Sequence, residues 1–322
     1  MTNPFRATIL ALTLAAAPAA AEDMPTKLVF GIISTESTVA LKPSWEPFIA
    51  DLSAAIGMPV EAFFASEYAG VIEGMRFKKV DIAWHGNKSA IGAVDRAGGE
   101  VFCKVLNMEG QEGYYSYVVT HTESQLTSIE DVLAKGPGIT FSMGDPNSTS
   151  GTLVPGYYIF AQRGIDPKKH FKRLTNAKHE ANALAVVNKQ VDAATLASDV
   201  HERMQSTAPD KVAQLRIVWK SPLIPSDPMV YRTDLPADLK TKIRDFFITY
   251  GKTEAERAKL STRKWSGFRA SDNSQLIPIR ELEFAKKKLE IAADEKLSAA
   301  EKQAKTAEID QQLAALKVQA AK

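Results

Sequence analysis

The stretch that decides the fold is residues 27–66, KLVFGIISTESTVALKPSWEPFIADLSAAIGMPVEAFFAS. Its first part, KLVFGII, is a β-branched, apolar run that is typical of a buried strand. Residues 41–57 then carry apolar side chains at helical spacing and end at Gly57, which predicts an amphipathic helix. Residues 59–66, PVEAFFAS, are strand-like again. A strand, a helix and a second strand in this order predict a βαβ unit of a parallel sheet.

The same α/β alternation continues through residues 68–99 and reappears after residue 124. Between these regions, residues 113–124, GYYSYVVTHTES, are typical of a long strand that leaves the first unit and enters a second. Residues 215–232, LRIVWKSPLIPSDPMVYR, predict a strand with three prolines that returns the chain to the first unit. Two α/β units joined in this way predict a two-lobed protein, and the cleft between such lobes is where small molecules bind.

The N-terminus predicts export. Arg6 precedes an apolar run from residue 7 to residue 17, and small residues end at Ala21. This pattern is typical of a secretory signal peptide over residues 1–21, cleaved after Ala21, because the apolar run is shorter than the ~20 residues that span a bilayer. A formal net charge of +2 gives no strong attraction to nucleic acid. Cys103 is the only cysteine, and its strand-like surroundings favour a buried structural thiol over a catalytic one.

From about Glu281 the composition shifts to Ala, Lys, Glu, Gln and Leu, without Gly or Pro. High helix propensity predicts a helical tail over residues 281–322. Two alternatives stay open for this tail. It is either a solvated, partly frayed helix or an amphipathic arm that packs on the body or on a second subunit, and the last case predicts a homodimer.

The segment GDPNSTSG, residues 144–151, follows a predicted strand and precedes a predicted helix. Its DPN sequence favours a turn, and Ser148 or Thr149 is a preferred N-cap. The first N–H groups of the helix, the hydroxyls including that of Ser150, and the helix dipole favour an anion at this point. A P-loop is excluded because its lysine is absent, and no GxSxG nucleophile elbow can be written over these serines. Plain helix capping and an anion site remain as alternatives.

Eight segments together resemble the family of periplasmic phosphonate-binding proteins of ABC-type phosphonate importers. They are FGIISTES, KPSWEPF, YAGVIEGMRF, VDIAWHGNKSA, GDPNSTSGTLVPGYY, NALAVVNKQVDAAT, VWKSPLIPSDP and DNSQLIPIREL. The resemblance runs from Lys27 to about Leu282 and implies the class II two-lobed α/β fold, in which each lobe has a central, mainly parallel sheet flanked by helices. The expected domains are lobe 1 at residues 27–118 and 226–280, lobe 2 at residues 119–225, and the helical tail.

The resemblance also implies a function. Members of the family are periplasmic receptors, not enzymes, and they use no metal or cofactor. They capture a phosphonate such as 2-aminoethylphosphonate between the lobes and deliver it to a membrane permease. Two rival readings are a receptor for another phosphorus oxyanion (methylphosphonate, phosphite or phosphate) and, more distantly, an exported serine hydrolase.

The site residues are likewise implied by the resemblance, position by position. The expected phosphonate ligands are Ser148, Thr149, Ser150, His179, Tyr68 and Tyr114. The expected ligands of the ammonium group are Asp199 and Asp227. Taken singly, these would be an ordinary capping histidine, core tyrosines and solvated aspartates, and only their joint placement indicates a site. Two departures bear on the organic group of the ligand. A compared member of the family has glutamate where this chain has Asp199, and it has tyrosine where this chain has His85.

Overall fold

The computed structural model describes residues 24–320. The predicted signal peptide, residues 1–21, lies outside the described residues. Within the described range, no helix combines the length and the apolar character needed to cross a membrane.

The described chain alternates strands and helices, as the sequence predicted. The strands are β1 (Leu28–Ile32), β2 (Val60–Phe64), β3 (Ile82–Trp84), β4 (Gly99–Asn107), β5 (Gly113–Tyr114), β6 (Ser116–His121), β7 (Thr140–Met143), β8 (Arg173–Asn176), β9 (Ala193–Ala197), β10 (Leu215–Lys220), β11 (Ile224–Pro225), β12 (Pro228–Arg232) and β13 (Trp265–Ala270). The α-helices are α1 (Thr38–Ile56), α2 (Tyr68–Arg76), α3 (Asn87–Ala97), α4 (Ile129–Ala134), α5 (Pro167–His170), α6 (His179–Val187), α7 (Ser198–Thr207), α8 (Pro209–Val212), α9 (Ala237–Thr249), α10 (Glu254–Ser261), α11 (Ile277–Ala293) and α12 (Ala299–Ala320).

The predicted βαβ unit at the start of the chain is confirmed. β1 and β2 pair in parallel from Leu28 opposite Val60 to Ile32 opposite Phe64, and α1 connects them. α1 ends where the sequence predicted, because Gly57 adopts the left-handed conformation (φ 75°) that glycine tolerates without strain.

Two sheets define two lobes. The first has the order β13-β4-β12-β3-β1-β2 and belongs to lobe 1, and the second has the order β10-β6-β9-β7-β8 and belongs to lobe 2. Both sheets are mixed. The βαβ units give parallel pairs. In lobe 1, β12 runs antiparallel to β3 and β4, and β13 runs antiparallel to β4. In lobe 2, β6 runs antiparallel to both β10 and β9. The chain thus enters lobe 2 at β6 and returns at β12, while the exact lobe boundaries given above stay a prediction.

The proline-containing return segment is three short strands rather than one. β10 ends before Pro222, β11 contains only Ile224 and Pro225, and β12 begins at Pro228. Proline lacks the N–H that a ladder requires, which accounts for the breaks between β10 and β11 and between β11 and β12. β11 pairs with β5 in a separate two-stranded ribbon, which carries both crossings between the lobes.

An aromatic core lies beneath the cleft side of lobe 1. The ring centroids of Trp45, Trp84 and Trp265 lie between 5.4 and 5.6 Å apart, and Phe30 packs on Trp45 at 5.3 Å. Trp84 and Trp45 are almost completely buried, so they keep their places through dense packing. Trp84 therefore has a fixed position from which its indole N–H reaches the cleft. The single cysteine, Cys103, is buried in the same lobe, as predicted.

The helical tail begins slightly before the predicted boundary and packs on the body. α11 lies against α3 of lobe 1 and against the helical segment at residues 156–163 of lobe 2. Arg280 forms an ion pair with Asp95 of α3, at 2.5 Å, and the side chain of Lys286 lies over Gly156. The first half of the tail is therefore an arm that bridges the two lobes, and the predicted homodimer stays a prediction.

Candidate ligand-binding site

The loop that follows β7 is built around two glycines. Gly144 N donates to Gly151 O at 2.8 Å, and a Cβ on Gly144 would lie 2.6 Å from the Cα of Gly151. Any larger residue would push the two backbones apart. Asp145 Oδ1 accepts from Asn147 N at 2.7 Å, as expected of the DPN turn. The loop is thus held closed on itself and delivers the chain to a helix start.

Ser148 caps that helix, as one of the two predicted positions. Its Oγ accepts from Gly151 N at 2.9 Å, and its carbonyl accepts from Leu153 N. Thr149–Leu153 form a wide, π-type turn in which Val154 N donates to the carbonyl of Thr149. The first N–H groups of a helix have no acceptor within it, so Thr149 and Ser150 present backbone donors at this point. Helix capping is therefore confirmed, and the anion site stays a prediction that is compatible with it, because capping leaves donors that an anion can use.

His179 is the first residue of α6 and faces the same hydroxyls. Its Nδ1 accepts from Ala197 N at 3.2 Å, so the ring hydrogen must lie on Nε2. Nε2 lies 3.3 Å from Ser148 Oγ and 3.5 Å from Ser150 Oγ. Burial lowers the pKa of His179 to about 4, and the charge of Asp199 only partly opposes this shift. His179 is consequently a neutral imidazole that directs one N–H donor at the hydroxyl cluster.

Two tyrosines, buried Tyr68 and partly buried Tyr114, approach these hydroxyls from the opposite side. Tyr68 begins α2 in lobe 1, and its hydroxyl lies near Ser148 of lobe 2. Tyr114 lies on the ribbon between the lobes, and its hydroxyl neighbours Ser150 and Asp227. Burial, and next the carboxylate of Asp227, raises the pKa of both tyrosines well above the usual value. Both are therefore uncharged donors in the cleft.

Thr149 makes a bond across the cleft that the sequence did not predict. Its Oγ1 accepts from the backbone N of Lys88 in the first turn of α3, at 2.9 Å, and Lys88 Nζ donates to the carbonyl of Pro146 at 2.6 Å. Gly86 allows this approach, since a Cβ there would lie 3.2 Å from Thr149 Oγ1. The first turn of α3 and the helix start at Thr149 thus meet face to face. Lys88 takes part through its backbone N–H, and no sequence pattern predicts such a backbone contact.

Asp227 supplies a buried carboxylate at the other end of the cluster. Its Oδ2 accepts from Trp84 Nε1 at 3.2 Å, while its Oδ1 has no hydrogen-bond partner within residues 24–320. Burial, and next the negative charge of Asp199, raises the pKa of Asp227 well above the usual value, although the Tyr114 and Trp84 donors oppose this shift. An unpartnered carboxylate oxygen in such a place favours a cation beside it.

Asp199 faces the same region but already has a partner. Arg203, one turn further along α7, donates from Nη1 to Asp199 Oδ2 at 2.8 Å and from Nε to Glu36 Oε2 at 3.0 Å. Burial alone would lower the pKa of Arg203, but the two carboxylates outweigh it and raise that pKa. Neither Arg203 nor Glu36 was predicted. The spacing of Asp199 and Arg203 on one helix face was a usable signal, whereas nothing in the sequence links Glu36 to them.

His85 lies at the end of β3 and is completely buried. Its Nδ1 is 3.1 Å from Ser89 Oγ, and its Nε2 has no hydrogen-bond partner in the described part of the chain. Burial lowers the pKa of His85 to about 3, so the ring is neutral under ordinary conditions. A buried neutral histidine has a direct consequence for the pH dependence of stability.

Replacing His85 with asparagine is expected to flatten that pH dependence. An unfolded histidine takes up a proton below about pH 6.5, whereas folded His85 does so only near pH 3. The contribution of His85 to wild-type stability is therefore full above about pH 7.5 and falls by about 2 kcal/mol at about pH 5. Asparagine keeps an amide near Ser89 but does not titrate. Denaturant unfolding at both pH values measures the difference. Equal losses of stability in the two proteins would contradict this assignment.

Across residues 24–320, no cluster of three or more histidine, cysteine, aspartate or glutamate side chains is arranged to hold a metal ion. The expected ligands from both lobes converge instead around one cleft: hydroxyls, an imidazole N–H and tyrosines at one end, and carboxylates at the other. This arrangement suits a small molecule that carries an anion and a cation.

Comparisons with known proteins show which family the chain resembles. A family model described as the periplasmic substrate-binding protein of a phosphonate ABC transporter matches residues 30–276. The phosphonates-binding periplasmic protein of Escherichia coli is 49% identical over 305 residues, which cover 95% of this chain and 90% of that protein. A phosphate-import protein of Mycolicibacterium smegmatis is 29% identical over 237 residues, covering 70% of this chain and 73% of the relative.

A solved structure gives the corresponding result for the fold. The binding-protein component of a phosphonate ABC transporter from Pseudomonas aeruginosa superposes with a TM-score of 0.89 at 51% identity. The match covers 93% of this chain and 99% of that protein. The predicted two-lobed architecture of a periplasmic binding protein is confirmed.

Proposed function

This chain belongs to the family of periplasmic substrate-binding proteins of phosphonate ABC transporters, and on that premise we propose that its ligand is a phosphonate with an amine, 2-aminoethylphosphonate in particular. The family consists of receptors that pass a small molecule to a membrane permease, not of enzymes. The observation that carries the proposal is Asp227, a buried carboxylate with an unpartnered oxygen close to a cluster of neutral donors. Export through the predicted signal peptide, with cleavage after Ala21, accords with this role.

Neutral donors would hold the phosphonate group. Ser148, Thr149, Ser150, His179, Tyr68 and Tyr114 supply hydroxyls and one imidazole N–H, and the helix start adds backbone N–H groups. Hydrogen bonds to a charged oxygen contribute roughly 1.5–3 kcal/mol each. Several such bonds from both lobes favour the closed form, because the ligand binds it more tightly than the open form.

Carboxylates would select the organic group. An ammonium group would pair with Asp227 Oδ1, and Asp199, whose charge Arg203 largely offsets, would add a smaller negative potential beside it. A ligand without a cation leaves Asp227 buried and unpaired, which costs binding free energy. Free phosphate should for this reason bind less tightly than the aminophosphonate.

A receptor for a smaller phosphorus oxyanion is the second candidate, since one relative is named a phosphate-import protein. Asp227 weighs against it, because such an anion offers nothing to the carboxylate. The alternative of a serine hydrolase is disfavoured by the tautomer of His179, which places a hydrogen on the nitrogen that faces the serines. A serine's base needs an unprotonated nitrogen towards the hydroxyl, but Nδ1 is occupied by Ala197 N–H and Nε2 therefore carries the hydrogen.

Titration calorimetry with four ligands tests the proposal. We expect 2-aminoethylphosphonate to bind most tightly, and methylphosphonate, phosphite and phosphate to bind at least about tenfold more weakly, because each leaves Asp227 unpaired. Tryptophan fluorescence gives a second readout, since Trp84 donates directly to Asp227. Phosphate or phosphite binding as tightly as the aminophosphonate would overturn the choice of ligand.

A further inference from the structure

One side of the cleft is joined by an ion-pair network that crosses between the lobes. Glu36 follows β1 in lobe 1, whereas Asp199 and Arg203 lie one turn apart on α7 of lobe 2. Arg203 Nη2 lies 2.9 Å from Glu36 Oε2, and Arg203 Nη1 lies 2.8 Å from Asp199 Oδ2. Glu36 and Arg203 are 8% and 7% exposed. A guanidinium thus fills the space between one carboxylate from each lobe.

Further bonds hold the same segment of lobe 1 on lobe 2. The backbone N of Glu180 donates to Thr35 O at 3.3 Å, and Glu180 Oε2 accepts from Ser37 N at 2.7 Å. Arg203 Nη1 also approaches the carbonyl of Arg263, a lobe 1 residue, at 3.4 Å. Each of these contacts joins a residue of lobe 1 to a residue of lobe 2, so they form only when the lobes are together.

The network also sets the charge that a ligand meets. Glu36, Asp199 and Asp227 are three carboxylates in or beside one cleft, and burying them together without a cation would be strongly unfavourable. Arg203 contacts two of them and leaves Asp227 with a free oxygen. One carboxylate oxygen, Asp227 Oδ1, is therefore left for a single ammonium group.

We infer that Glu36 and Arg203 are positioning residues that close the lobes over the ligand and restrict its cation to Asp227. This inference rests on the proposed function and deepens it. Glu36 holds Arg203 across the cleft, which stabilises the closed form with any phosphonate. Arg203 neutralises Asp199, which keeps a second unpaired carboxylate away from the ligand. Neither residue needs to touch the ligand.

Three variants separate these two roles: Glu36→Gln, Arg203→Met and, as a matched control, Glu61→Gln, which breaks the exposed Lys27–Glu61 pair within lobe 1. Glu36→Gln should weaken 2-aminoethylphosphonate and methylphosphonate equally, by about tenfold, because only closure is affected. Arg203→Met should weaken methylphosphonate more than the aminophosphonate, since the ammonium of the latter offsets part of the exposed negative charge. Glu61→Gln should change neither dissociation constant.

Calorimetry gives the two dissociation constants for each variant, and small-angle scattering of the liganded proteins reports closure. Unchanged binding by Glu36→Gln, or a loss confined to the amine-bearing ligand, would overturn the inference. Should Arg203→Met fail to fold, Arg203→Lys replaces it, with a smaller change of the same sign. A wild-type protein that binds neither phosphonate would instead overturn the proposed function, and the specificity role with it.

Discussion

Replacing Thr149 with alanine is expected to weaken the binding of every phosphonate by about 2–4 kcal/mol, whether or not the ligand carries an amine. Thr149 is 1% exposed, and its hydroxyl accepts from Lys88 N across the cleft. An oxygen that accepts in this way keeps its own hydrogen free to donate to an anion. The alanine variant loses both interactions, and the closed form leaves the Lys88 N–H without that acceptor.

The conservative variant Thr149→Ser is the matched control, because it keeps the hydroxyl and removes only a methyl group. It should retain most of the affinity, and both variants should melt close to the wild type without ligand. Calorimetry with 2-aminoethylphosphonate and methylphosphonate gives the comparison. If the alanine variant bound both ligands as the wild type does, the helix start after Ser148 would not belong to the binding site.

Much of the fold could be predicted because local patterns determine it. The apolar run before residue 33, the helical spacing up to Gly57 and the next strand gave one βαβ unit correctly. The turn before Ser148 likewise predicted the helix start, since turn and capping preferences act within a few residues. The prediction for residues 215–232 was correct in placing strands there, but it gave one strand where the structure has three, because prolines interrupt the ladder.

The candidate site was less accessible from the sequence, because it is formed by contacts between distant residues. The meeting of Lys88 with Thr149 depends on a backbone N–H, which every residue other than proline possesses. The pair of Glu36 and Arg203 joins positions 167 residues apart, with no local pattern to relate them. Asp199 is an example. The resemblance implied that it is a ligand of the ammonium group, but only the structure shows that Arg203 already binds it.

Replacing Asp227 with asparagine is expected to have the largest selective effect, a loss of at least about 2 kcal/mol in the binding of 2-aminoethylphosphonate. Asparagine has nearly the same shape, and its amide oxygen can still accept from Trp84 Nε1. It carries no charge, so the ammonium group loses its counter-ion inside the closed cleft. Methylphosphonate should bind equally well or better, because a buried negative charge no longer faces its oxyanion.

The ratio of the two dissociation constants is the decisive quantity. Asp234→Asn is the control, because it removes an exposed ion pair with Lys78 within lobe 1. The wild-type ratio should also depend on pH. Burial and the charge of Asp199 raise the pKa of Asp227, so lowering the pH protonates this carboxylate and removes the preference for the amine-bearing ligand. The asparagine variant should show no such preference at any pH. Equal losses for both ligands in Asp227→Asn would instead mean that this carboxylate supports the cleft without recognising a cation.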